Sequence, residues 1–331
     1  MSALRAGLIG LGMMGRHHAR VLGSLEGVEL VAVADPGGDV HGVAGGRPVE
    51  SAVDALLHHG LDYCVVAVPT MHHEEIALRL ADAGVHALVE KPLAQDVASS
   101  ERITEAFETR GLVGAVGHIE RYNPALQQAR SRIEAGELGT VFQVVTRRQG
   151  PFPARIADVG VIKDLGTHDI DLTTWVTQQE YTAVAARTAN RSGREHEDMV
   201  SVVGQLSGGA ITNHLVNWLT PYKERTTVVT GEKGSFIADT LSADLTFHAN
   251  GNVRQDWEAV SRFRGVSEGD MVRYAIAKPE PLRTEHEAFR DALLGRGADI
   301  VTMRAGLRTV RVAEAVLESA RSGATVSLDD A

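Results

Sequence analysis

From Leu4 to Leu25 the chain reads LRAGLI, then GLGMMG, then RHHARVLGSL, and this passage constrains the fold more than any other. The apolar run predicts a short buried strand, and the run after the glycines predicts a helix. Between them Gly10, Gly12 and Gly15 keep the spacing G-x-G-x-x-G. In a strand–turn–helix unit the first glycine permits the tight turn. The second lets backbone approach a pyrophosphate, and the third lets helix and strand pack closely. The helix start, with Met13 and Met14 beside the glycines, offers unpaired N–H groups and a partial positive charge to the phosphates. In a chain with 34 glycines the bland alternative is a glycine-rich turn near a surface aspartate.

The next 100 residues favour the first reading. VELVAVAD (28–35) predicts a second parallel strand ending in an acid. Asp35 stands where a carboxylate binds the adenosine ribose hydroxyls and disfavours a 2′-phosphate, so NAD is expected rather than NADP. Strands are then expected at LDYCVVAVPT (61–70), VHALVEKPL (85–93) and LVGAVGH (112–118), with helices at HHEEIALRLADAG (72–84) and QDVASSERITEAFETRG (95–111). Such alternation, with near-continuous apolar strands, means a doubly wound parallel sheet. Ligands bind at the C-terminal strand ends, where Asp35, Pro69, Thr70, Glu90, Lys91 and His118 fall. PGGDVHGVAGGRP (36–48) is too rich in glycine and proline for a regular crossover helix, which would leave the adenine side open.

A length of 331 residues suggests two domains, 1–118 and 119–331, with the last helices free to pack back on the first. The net charge of -10 and the lack of a Lys/Arg block argue against nucleic-acid or membrane partners. Cys64 is the only cysteine, no signal-peptide core precedes the first strand, and a cytoplasmic location is expected.

In the second domain RYNPALQQARSRIEAG (121–136) predicts a helix with Asn123 as N-cap and Pro124 in its first turn. TVFQVVTRRQG (140–150) predicts a strand. KDLGTHDIDL (163–172) then opens a helix on which Asp164 and His168, four apart, share a face. Three chemistries fit it: a divalent-metal site, for which His72, His73, His118 and His214 are scattered partners; a solvated helix face capped by Asp164; or a relay in which Asp164 orients His168 as a proton acceptor. Short alternating runs (VSVVGQL, AITNHLVNW, RTTVVTG, SFIAD, LTFHA) predict a mostly antiparallel sheet, and EHEAFRDALLG and MRAGLRTVRVAEAVLESARSG predict closing helices. Lys91, in Glu90-Lys91-Pro92 at a strand end, could donate to a substrate oxygen or stand as an ordinary surface lysine.

GLIGLGMMGRHHA, VAVAD, AVPTMHH and VEKPL follow one another as in the Gfo/Idh/MocA oxidoreductases, which the chain resembles over essentially its whole length. His18, three residues past Gly15, matches that family's extended glycine motif. The resemblance implies a Rossmann domain joined to an α/β domain with a large open, mostly antiparallel sheet. It implies NAD held by Gly10, Gly12, Met13, Met14, Gly15, Asp35, Pro69, Thr70, His73, Glu90 and Lys91, with no metal. It also settles KDLGTHDIDL as the relay, so that Lys91, Asp164 and His168 form the implied catalytic set.

GHIERYNPA, RRQGPFPARIADVGVIKDLGTHDID and NWLTPYKERTTVVTGEKGSFIAD further resemble the UDP-N-acetylglucosamine 3-dehydrogenase branch and its antibiotic-sugar relatives. That implies a nucleotide-linked sugar oxidised to a keto-sugar for an aminotransferase. The basic residues Arg121, Arg147, Arg148, Arg155, Lys163 and Lys223 suit a diphosphate, and Tyr122, Asn123 and Trp218 suit a sugar or base. The resemblance also implies a homodimer or homotetramer. The rivals are oxidation of a free cyclitol or hexose, an NAD-dependent glycosidase, and a cofactor-sensing regulator without catalysis.

Overall fold

The computed structural model describes residues 3–153, 159–251 and 268–328. It divides into two compact units, Met1–Ile119 with Pro279–Glu314 and Glu120–Lys278 with Ala315–Ala331.

The first unit alternates β1 (Leu4–Ile9), α1 (Met13–Leu22), β2 (Val28–Ala34), β3 (Val49–Glu50), α2 (Val53–Leu57), β4 (Tyr63–Val66), α3 (His73–Asp82), β5 (His86–Glu90), α4 (Val97–Thr109) and β6 (Gly114–Gly117). The six strands are all parallel, in the order β3-β2-β1-β4-β5-β6. The order reverses between β1 and β4, which opens a crevice at their C-terminal ends, the place where such sheets bind ligands. Tyr63, Cys64, Val65 and Val66 are all buried, as expected of a strand covered on both faces. The crossover from β2 to β3 contains no helix. Beside α1 it leaves a cavity of about 400 Å³ lined by Arg16, Arg20, His41, Val43 and Arg47 among others.

The second unit begins with α5 (Pro124–Glu134), whose N-cap Asn123 accepts from the Ala125 N–H at 3.0 Å. After β7 (Val141–Pro151) comes a π-helical turn, Ile162–Gly166, that runs into α6 (Thr167–Thr177). Then follow β8 (Tyr181–Ala189), β9 (Met199–Leu206), β10 (Ile211–Asn217), β11 (Leu219–Gly231), β12 (Gly234–Asp239), β13 (Asp244–Asn250) and β14 (Glu268–Arg273). The last elements are α7 (Pro281–Leu293), α8 (Met303–Ser322) and β15 (Val326–Ser327).

The second sheet has nine strands in the order β14-β13-β12-β11-β7-β10-β9-β8-β15. Every neighbouring pair is antiparallel except β10 with β7. Strict alternation of exposed and buried residues along β9 shows a sheet covered on one face only. Strand β8 was not among the sequence expectations. Its YTAVAARTA is rich in alanine, a weak strand former, and its one apolar run, AVAA, is short. The two-residue strands β3 and β15 are too short to leave a periodic signal. Helix α7 belongs to the first unit, where Phe289 meets Tyr63 edge-on with ring centroids 5.4 Å apart. Among the described residues no helix is long and apolar enough to cross a membrane.

Candidate functional site

The glycine turn between β1 and α1 has the stereochemistry its sequence predicts. Gly10 has φ +94°, and a Cβ there would lie 2.4 Å from the Ala67 carbonyl oxygen. A Cβ on Gly15 would lie 2.0 Å from the Gly10 oxygen, so helix and turn touch through bare backbone. At Gly12 the added carbon would meet nothing within 4 Å. That open approach, at a helix N-terminus without a side-chain cap, fits a pyrophosphate. The Asp35 carboxylate accepts from the Leu11 N–H on one oxygen and the Gly37 N–H on the other, both at 2.8 Å. It therefore ties the turn to the end of β2, and its remaining lone pairs suit a ribose diol. The residues present thus fit NAD.

Thr70 is buried and Pro69 exposed where β4 ends. His73 is the next residue expected at the cofactor. It is buried, with Nδ1 2.9 Å from the Pro92 carbonyl and Nε2 3.0 Å from the Val68 carbonyl. The ring is wedged between the loops that follow β4 and β5, and its one N–H, when neutral, donates to one of the two carbonyls. Burial pushes its imidazole below the usual range. Glu90, also expected at the cofactor, turns inward instead. One oxygen accepts from His18 at 2.9 Å and the other from the Lys91 N–H at 3.1 Å. Lys91 follows at the sheet edge, half-buried, and its bond to Pro92 is cis.

The stretch 163–172 is not a solvated helix face. Asp164, Asp169 and Asp171 are 4%, 1% and 1% exposed. Asp164 lies inside the π-helical turn and does not cap α6, whereas half-buried His168 is the second residue of that helix. Single π-helical turns recur at functional sites. His214, one of the scattered metal partners, is enclosed by the hydroxyls of Thr146 at 2.7 Å and Tyr181 at 2.6 Å. Burial drives its imidazole down to about 3.

The other two aspartates are clasped by residues expected to hold substrate. Arg121 makes a two-pronged contact with Asp171, at 2.7 and 2.6 Å. Arg148 is buried and reaches Asp169 at 2.9 Å and Glu120 at 2.8 Å. Burial alone would lower the Arg148 guanidinium, but the two carboxylates hold it above its ordinary value. These charges are already matched, which speaks against a diphosphate role for Arg121 and Arg148. Asn123 spends its side chain on the cap and on the Thr240 carbonyl, Tyr122 is buried, and Trp218 is buried against Phe152. Lys163 is half-buried beside Asp164, while Arg147 and Lys223 are exposed. Arg155 lies outside the described residues. The acid partners of these arginines carry no local sequence signal, because they stand 21 to 50 residues away.

Two sets of variants check these assignments. Gly12→Ala should melt close to wild type yet bind NAD about tenfold more weakly. Gly15→Ala should lose about 1–3 kcal/mol of stability, because backbone stands where its Cβ must go. Arg148→Ala should cost about 3–5 kcal/mol in urea unfolding, since it strands Asp169 and Glu120. A stable Arg148→Ala protein with only a raised KM would restore that arginine to the substrate site.

Residues 4–118 match the family described as "Oxidoreductase family, NAD-binding Rossmann fold", and residues 126–237 match the "GFO/IDH/MocA C-terminal domain". A scyllo-inositol 2-dehydrogenase (NAD(+)) of Bacillus subtilis is 27% identical across 98% of this chain and 96% of its own. Among solved structures, UDP-N-acetylglucosamine 3-dehydrogenase GnnA from Acidithiobacillus ferrooxidans is 27% identical. It superposes with a TM-score of 0.86 over 97% of this chain and 99% of its own. GenD2 from gentamicin A biosynthesis, solved in complex with NAD, is also 27% identical, with a TM-score of 0.82 over 100% and 97%. Glycine turn, ribose acid, nine-stranded second sheet and matched domains lead to one conclusion: the chain belongs to the Gfo/Idh/MocA family of NAD-dependent oxidoreductases.

Proposed function

We propose that the chain oxidises a secondary hydroxyl of a nucleotide-linked sugar to a ketone, giving a keto-sugar suited to an aminotransferase. The observation that carries this reading is the likeness to UDP-N-acetylglucosamine 3-dehydrogenase GnnA over 97% of this chain. Bound NAD supplies the acceptor for the hydride. The protein's own groups manage the oxygen. His168, oriented by Asp164, takes the hydroxyl proton, and Lys91 hydrogen-bonds the same oxygen as it becomes a carbonyl. Low exposure of Asp164 supports this, because an imidazolium beside a buried carboxylate is favoured over one in water. Of the basic residues expected at a diphosphate, Arg147 and Lys223 are exposed, and Glu224 stands 3.4 Å from Arg147.

A second reading, oxidation of a free cyclitol, has its own support. The inositol dehydrogenase relative matches 98% of the chain, and three of the arginines assigned to a diphosphate already face carboxylates. Self-association belongs to either reading. Met199, Val203, Ile211 and Leu215 share the exposed face of β9 and β10, an apolar surface of the kind that covers itself in a homo-oligomer. Sedimentation as a monomer throughout the micromolar range would refute that.

The test is NADH formation from NAD across UDP-, GDP- and dTDP-sugars and free inositol and glucose, with an aminotransferase trap. Turnover with one nucleotide sugar and none with free polyols is expected, and the reverse pattern selects the cyclitol reading. His168→Ala should then lose at least about 100-fold in kcat with NAD affinity nearly unchanged. An equal loss of both would remove the proton role given to His168.

A further inference from the structure

Behind Lys91, ionisable side chains from three elements are buried against one another. Glu90 ends β5, His18 lies on α1, and Glu285 and His286 lie on α7. Their exposures are 9%, 0%, 1% and 1%. Glu90 accepts from His18 Nε2 at 2.9 Å, and His18 Nδ1 lies 2.8 Å from His286 Nε2, with the two rings edge to face. On the β6 side there is only Gly117, where a Cβ would press within 3.2 Å of the Glu90 carboxyl. From α3, His73 lies within reach of the Glu90 charge, which acts to raise its imidazole against burial.

The bonding order follows from the donors available. Burial pushes the Glu90 carboxyl up, but the hydrogen bond from His18, the charge of Lys91 and the Lys91 N–H together hold it below its ordinary value. Ionised Glu90 only accepts, so His18 donates from Nε2. In a neutral His18 ring Nδ1 is then an acceptor, and His286 donates to it from Nε2. Burial keeps His286 well below the usual histidine range, hence neutral. Its Nδ1 has no partner among the described residues. With the proton on Nε2 only a lone pair is left unmatched there, whereas the other tautomer would leave a buried N–H unmatched. Glu285 has no partner on either oxygen among the described residues, and burial followed by the Glu90 charge raises it well above the carboxylate range. It stays protonated, so the cluster holds a single carboxylate charge, on Glu90.

We propose that His286 is a positioning residue, which fixes the tautomer of His18 and thereby keeps Glu90 an anion directly behind Lys91. The proposal rests on the reading that Lys91 touches the reacting oxygen. Neither Glu285 nor His286 has a part in the Lys91, Asp164 and His168 set, and their element lies about 190 residues along the chain from the lysine.

The experiment compares His286→Leu and His286→Gln with wild type by the pH profile of kcat, alongside 15N NMR of the histidine rings. Wild type should show His18 and His286 each protonated at Nε2. Leucine removes the donor to His18, so Glu90 loses support as an anion and titrates higher. The acid limb of the profile should therefore move up by about one pH unit. Glutamine donates to the same Nδ1 and should restore the wild-type limb. An unshifted limb in His286→Leu, or an equal shift in His286→Gln, would overturn the proposal. Should the leucine variant fail to fold, the NMR decides on wild type, where a His286 proton on Nδ1 is fatal. Lys91→Met separates the two claims. Full turnover in that variant refutes the reading of Lys91 itself, whereas lost turnover with an unshifted His286→Leu limb refutes only the role of His286.

Discussion

One carboxylate holds the cofactor end of the first unit in place. Asp35 takes a backbone N–H from the glycine turn with one oxygen and a backbone N–H from the β2 exit with the other. The turn can therefore keep its bare approach at Gly12, since its position is fixed from the side by Asp35 and from below by the contact of Gly15 with Gly10. A charged acceptor bound to two amides is worth more than a neutral one, and its other lone pairs suit a ribose diol. Cofactor choice and turn geometry are thus one constraint.

Buried charge organises much of what lies farther from the turn. In the second unit Arg148 and Arg121 are matched by Glu120, Asp169 and Asp171, which fixes the approach of α6 to β7 and gives the segment bearing Asp164 and His168 a rigid base. In the first unit His73 is wedged between two loop carbonyls, and the Glu90 to His286 chain joins β5, α1 and α7. Removing one partner from such a set costs far more than the set contributes net, because a buried charge is left alone. These residues carry no reacting atom, yet they limit where Lys91 and His168 can stand.

Much of this was legible in the sequence, for identifiable reasons. Strands β1, β2, β4, β5 and β6 are continuous apolar runs closed by glycine, proline or an acid, and the structure places them within a few residues of expectation. The Asn123-Pro124 helix start carries its own chemistry and appears unchanged. The exclusion of a crossover helix from 36–48 followed from backbone entropy alone. What stayed hidden depends on distance along the chain. Arg148 looked like a substrate cation because Asp169 shows its partner only once β7 and α6 are packed, and His286 meets His18 across 268 residues. The internal partners of His73 and Glu90 were hidden for a related reason, since a motif gives position at a strand end but not the direction a side chain turns.

The central claim is that Asp35 and the glycine turn form a site for NAD that rejects a phosphate on the adenosine ribose. Isothermal titration of the purified protein with NAD and with NADP tests it most directly. The account predicts NAD binding tighter by at least about tenfold, or 1.4 kcal/mol. Equal affinities, or tighter NADP, would contradict it.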